Sequence, residues 1–210
     1  MTPLEDFFPR ILRYAPGAAE PLMEDALREA ATEFCQRTRC WREVQTFDTI
    51  GDEAEIVCVP PDAAIFEIDE AWFNDKRLAR LAFDAINPQD WPEYQPGVIP
   101  PDGIMPVAVS QVTPGSITVV PGARGKLRLS LFLKPSPRAM LLPEILFEQF
   151  YTAVADGAAA RLLTVPDQSF TDTQRAGLLA ASFETAADRN FRFQKRGQQR
   201  GPVRTRAAFV

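Results

Sequence analysis

Seven cations close the sequence: Arg189, Arg192, Lys195, Arg196, Arg200, Arg204 and Arg206 all follow the last acidic residue, Asp188. Guanidinium and ammonium groups at this density can neutralise phosphates or pair with carboxylates. Residues 1–188 hold 16 basic and 28 acidic residues, a net of −12, against −5 for the whole chain. A basic tail on an acidic body calls for a partner, or for a neighbouring copy of the same body. Three uses of the tail compete. It can bind nucleic acid, with Phe191 and Phe193 stacking on bases. It can dock as an arm on another protein, or it can hang in solvent. No helix-turn-helix, zinc-finger or RNP signature precedes it, and the acidic body repels DNA, so docking is the favoured reading.

Other residue types that do chemistry are scarce or badly spaced. The chain has no histidine, which removes the commonest general base, the imidazole metal ligand and every Ser-His or Cys-His dyad. Cys35, Cys40 and Cys58 are odd in number and lack C-x-x-C spacing, so they read as free, mostly buried thiols. The stretch from Pro121 to Lys126, PGARGK, has a faint phosphate-loop look, but Leu127 stands where Ser or Thr is required and a strand follows, so a tight hairpin turn is expected. The acidic pairs Asp52/Glu53 and Asp69/Glu70 lack the calcium-loop pattern and read as solvated charge at strand ends or turns. No Gly-x-Ser-x-Gly elbow occurs. The expectation is a protein that is not an enzyme, with no catalytic residue, cofactor or metal.

The elements around these residues follow from periodicity. At 210 residues, 46% hydrophobic and 24% charged, the chain is long enough for one domain with a real core or two small ones. From Pro21 to about Arg39, the apolar residues Leu22, Ala26, Leu27, Ala30, Ala31, Phe34 and Cys35 make one helical stripe. Glu24, Arg28, Glu29, Glu33 and Arg37 lie opposite. A short element at Leu4–Leu12 precedes this helix. From Val44 the period changes to two, through Ile56 and Cys58, Ala64, Phe66 and Ile68, Val107 and Val109, and Ile117 and Val119. The clearest strand is Lys126–Lys134, with Leu127, Leu129, Leu131 and Leu133 on one face and Lys126, Arg128 and Ser130 on the other. Together these strands suggest a small antiparallel sheet or sandwich with one buried face.

Between Asn87 and Pro106, six prolines (Pro88, Pro92, Pro96, Pro100, Pro101, Pro106) accompany Trp91 and Tyr94. That density disfavours helix and central strand alike, and leaves a surface excursion or a contact arm onto a neighbouring subunit, with Trp91 and Tyr94 as its contacts. Helical period returns at Pro143 and runs through Ile145, Leu146, Gln149, Phe150, Ala153, Val154, Gly157, Ala158, Arg161 and Leu162, stopping before Pro166. Thr171 is the expected N-cap of a last helix carrying Leu178, Leu179, Phe183, Ala186, Ala187, Asn190 and Phe191.

The expected fold class is α+β. A helical bundle from the N- and C-terminal helices (1–43 and 138–193) receives an inserted antiparallel β module (44–137, with the proline-rich loop 87–106) and ends in an extended basic C-terminal tail (194–210).

Three strings resemble a known family. ALREAATEFCQRTRCW from Ala26 to Trp41, FYTAVADGAAARLL from Phe150 to Leu163, and PDQSFT from Pro166 to Thr171 before a helix with Phe183 at its middle are similar to the head-to-tail adaptors of tailed bacteriophages. The likeness covers roughly Leu22–Trp41 and Pro143–Phe193, with a familiar strand exit at Leu131–Pro137; the proline arm around Trp91 matches no family pattern. The resemblance implies a virion structural protein made in the host cytoplasm and placed at the neck. Many copies, twelve in the usual case, form a ring beneath the portal, with a tail or neck protein below and DNA only passing through the channel. On that analogy Arg192, Lys195, Arg196, Arg200, Arg204 and Arg206 are the portal-docking residues. Another neck or tail ring component (head completion or tail terminator) is the alternative, followed by a DNA-binding module acting through the basic tail. No run approaches the roughly 20 apolar residues a membrane span needs, and MTPLEDFFPR is neither a secretory signal nor a transit peptide.

Overall fold

The computed structural model describes residues 1–50, 55–82, 103 and 105–191. They are mixed α and β and divide into two compact units, one from the described residues of Met1–Trp41 and Met140–Val210, the other from those of Arg42–Ala139. In chain order the first unit begins with β1 (Thr2–Pro3), a 3-10 turn (Leu4–Phe7), α1 (Phe8–Ile11) and α2 (Glu20–Thr38). The second unit contains β2 (Arg42–Thr49), β3 (Ile56–Val57), β4 (Ala63–Phe73), β5 (Lys76–Arg77), β6 (Ala79–Arg80), β7 (Ala108–Thr113), β8 (Ser116–Val120) and β9 (Gly125–Pro135). The chain then returns to the first unit with β10 (Leu141–Leu142), α3 (Glu144–Leu162) and α4 (Thr173–Arg189).

In the first unit α3 is the element the others pack around. Every residue from Ala153 to Ala160 is buried, so this stretch has no solvent face at all. All but Val154 and Asp156 are Ala or Gly, which lets neighbouring backbones approach from several sides. α1, α2 and α4 each contact it. Gly157 is needed where α4 arrives: a Cβ there would stand 2.5–3.0 Å from the ring carbons of Phe183. Phe183 also meets Phe34 of α2 at 5.9 Å between ring centroids, and Phe34 meets Phe150 of α3 at 4.9 Å. Elsewhere on α3, Phe147 and Tyr151 each lie 5.5 Å from the Phe7 ring. β1 pairs with β10 and joins the first residues to the approach to α3.

Helix ends follow local chemistry. Pro21 occupies the first turn of α2, and Arg39 ends it in the left-handed conformation (φ 52°), its amide donating to the Cys35 carbonyl. α4 is capped by Asp172, whose carboxylate accepts from the Arg175 amide, rather than by the expected Thr171. Thr171 instead donates to the Val165 carbonyl and accepts from the Gln168 amide, closing the loop before the helix. The expected apolar stripes each depart from the observed burial, and Phe191, expected on the last one, is exposed beyond the end of α4. Met23 rather than Leu22 is buried in α2, Gln149 is exposed in α3, and Leu178 is 70% exposed in α4, whose buried line is Ala176, Leu179, Phe183 and Ala187.

The second unit holds two four-stranded sheets, ordered β2-β9-β4-β5 and β3-β8-β7-β6. All pairings are antiparallel except β6 with β7. β9 is central, and Leu127, Leu129, Leu131 and Leu133 are buried as expected. Ser130, expected on the solvent side, is fully buried because its hydroxyl donates to Asp69 of β4 and accepts from Arg42 of β2. Strict alternation fails in β4, where register shifts fall between Ile65 and Glu67 and between Ile68 and Glu70, and in β8, which is buried throughout. Asp69 and Glu70 therefore lie inside β4, not at a strand end. The Pro121–Lys126 stretch is not a hairpin turn, since β8 and β9 belong to different sheets and it carries the chain between them.

Two glycines of the helical unit should respond oppositely to alanine. Gly157→Ala is expected to lower stability by about 1–3 kcal/mol through overlap with Phe183. Gly177, in the interior of α4, has nothing within 4 Å of a built Cβ. Gly177→Ala should raise stability by about 0.5–1 kcal/mol. Urea midpoints of the two variants check both signs.

Candidate functional site

The site residues expected from sequence, Arg192, Lys195, Arg196, Arg200, Arg204 and Arg206 in the tail and Trp91 and Tyr94 in the proline arm, lie outside the described residues, as do Asp52 and Glu53. Among the described residues no group of His, Cys, Asp and Glu is placed to hold a metal. No described helix is long and apolar enough to cross a membrane. Asp69 and Glu70 are engaged in side-chain bonding across their sheet, Asp69 to Arg42 and Ser130 and Glu70 to Arg77.

All three thiols are free and buried. Burial pushes the Cys58 thiol up to about 11. Cys35 and Cys40 stand 3.9 Å apart, and their mutual hydrogen bond raises the former and lowers the latter. An attacking thiolate needs access as well as a low pKa, and Cys40 is only 1% exposed.

What the geometry does assemble is a charged and grooved surface on the helical unit. The same unit holds a buried ion pair. Asp156 of α3 is only 3% exposed, and Arg10 of α1 reaches it with two parallel hydrogen bonds, Nε to Oδ1 at 2.7 Å and an Nη to Oδ2 at 3.0 Å. The carboxylate makes the Arg10 guanidinium hold its proton more tightly than usual. This two-pronged geometry fixes α1 against the small-residue stretch of α3. Sequence reading missed it, although one acid between Ala155 and Gly157 in a run of small residues was the available signal.

Outside this pair, carboxylates and guanidiniums alternate across three helices. Arg161 of α3 bonds Glu33 and lies 3.6 Å from Glu29, both on α2, while its other nitrogen donates to the Gly157 carbonyl. Arg37 of α2 bonds Glu33 and, on α4, Glu184 and Asp188. These carboxylates raise the Arg37 pKa. The members are half exposed, so each pair adds little to stability. As a set they hold four acids against two bases, a net negative surface.

Beside the network runs an open groove of about 470 Å³. It is lined by Gly157, Ala160, Ala176, Gly177, Ala180 and Phe183, together with the charged Glu33, Arg161 and Glu184. Arg161 lies over the Phe183 ring at 5.4 Å, which closes the groove beneath the guanidinium. Apolar lining with charged neighbours suits a protein side chain.

Two measurements check this site. Arg10→Met should cost about 3 kcal/mol by leaving the Asp156 carboxylate buried without its partner, and Arg10→Met with Asp156→Ala should recover most of it, as read by a double-mutant cycle. All three thiols should stay unreactive towards a disulfide reagent at pH 8 until the chain is unfolded; fast labelling of the folded protein would contradict the packing described.

No curated protein matches the chain. The family model described as SU10 adaptor protein matches residues 2–206, a span that runs through both units. The match covers nearly the whole length, and the chain belongs to the SU10 adaptor protein family, a phage head-to-tail adaptor family.

Proposed function

We propose that this chain is a non-enzymatic structural protein of the virion neck, assembled in many copies as a ring beneath the portal and linking capsid to tail around the DNA channel. The observation that carries this reading is the family match across residues 2–206. The division of charge supports it. A body of net −12 lining a channel lets DNA pass without sticking, while seven cations after Asp188 have a use on a partner protein. The partners are the portal above, a tail or neck protein below and further copies of the chain. Within this reading the N- and C-terminal helices form a bundle that presents the tail, and Arg192, Lys195, Arg196, Arg200, Arg204 and Arg206 grip the portal. Trp91 and Tyr94 of the proline-rich segment contact the adjoining copy.

Removing residues 189–210 tests the docking role. The shortened chain should keep its helical signal and lose attachment to the portal ring in co-sedimentation. Full attachment without the tail would sink the role given to these cations. Tight binding of the full chain to DNA that weakens steeply with salt would favour a DNA-binding role instead.

A further inference from the structure

We propose that α4 carries both halves of a contact between copies of this chain: Leu178 of one copy seats in the α3–α4 groove of the next, over Gly177. The inference rests on the ring reading above and names a surface that would build the ring.

Three observations point to it. Leu178 is 70% exposed on a well-formed helix, the most exposed large apolar side chain among the described residues of the helical unit. Gly177 is the second. A helix-interior glycine gives up stability relative to alanine, and the chain's own packing does not require this one, since its Cβ position is open. Gly157, by contrast, is required by Phe183. An open, exposed glycine in the groove lining leaves room for an incoming side chain to reach the backbone.

The third observation is charge. The groove side of α4 bears Glu184 and Asp188, which with Glu29 and Glu33 outnumber Arg37 and Arg161 by two. The Leu178 side bears Arg175, half exposed and 3.6 Å from Asp172, and the exposed Arg189. A helix turns about 100° per residue, so Leu178 points about 140° away from the groove-lining residues Thr173, Ala176, Gly177, Ala180 and Glu184.

Knob and groove on opposite sides of one helix cannot satisfy each other within a copy, nor across a two-fold axis, which would need both on one self-complementary patch. They fit head to tail, the arrangement that closes into rings. Basic flanks beside the knob then meet the acidic residues of the groove, which sets the direction of the contact.

The test uses the full chain assembled on the portal ring. Leu178→Asp should abolish the adaptor ring in native mass spectrometry, with the melting midpoint of the free chain unchanged because Leu178 is exposed there. A chain carrying Leu178→Cys and Thr164→Cys together should cross-link on oxidation into a ladder of multimers, while a mixture of the two single variants should stop at dimers. Thr164 lines the groove and is exposed. An undiminished ring with Leu178→Asp, or cross-linked dimers from Leu178→Cys alone, would overturn the contact while leaving the ring itself intact. Failure of the unsubstituted chain to form a ring on the portal would instead remove the reading on which the contact rests.

Discussion

The approach of Phe183 to the backbone of α3 at Gly157 is the contact on which the helical unit depends. An aromatic ring can lie on a helix axis only where the side chain beneath it is missing. Once it does, α4 is held close, Phe183 reaches Phe34 of α2, and Arg161 is stacked over the same ring. The network of Glu29, Glu33, Arg37, Arg161, Glu184 and Asp188 follows from that closeness rather than causing it. Exposed ion pairs contribute too little to bring helices together. They select among arrangements that the small-residue stretch already permits.

That stretch also contains Asp156, whose carboxylate is buried and held by Arg10 of α1. Burying a carboxylate among alanines is unfavourable unless its oxygens are bonded, and Arg10 bonds both. The pair therefore does more to specify than to stabilise: α1 has one position that satisfies Asp156, and slippage along α3 would leave the charge alone.

Much of this was legible in the residues. The three- and four-residue spacing of Ala26, Leu27, Ala30, Ala31, Phe34 and Cys35 located α2 to within a residue at either end, and the alternating leucines of Leu127–Leu133 located the central strand. What local pattern could not supply was context. Leu22 and Met23 are both apolar at the start of a helix, and only the packing against α2 decides which is buried. Ser130 reads as a solvent residue until Arg42 and Asp69, far away in sequence, are known to meet it. Asp69 and Glu70 look like turn residues because two acids in a row oppose strand formation, yet a register shift within β4 accommodates them. The family likeness came from strings rather than from physics, and the match across residues 2–206 agrees with it.

The proposed role, a part of a ring rather than a catalyst acting on a substrate, stands or falls with assembly on the portal. Native mass spectrometry of the full chain mixed with the portal ring of the same phage is the deciding measurement. A discrete species with one copy of this chain for each portal subunit is the predicted result. Absence of any complex across a range of mixing ratios would contradict it.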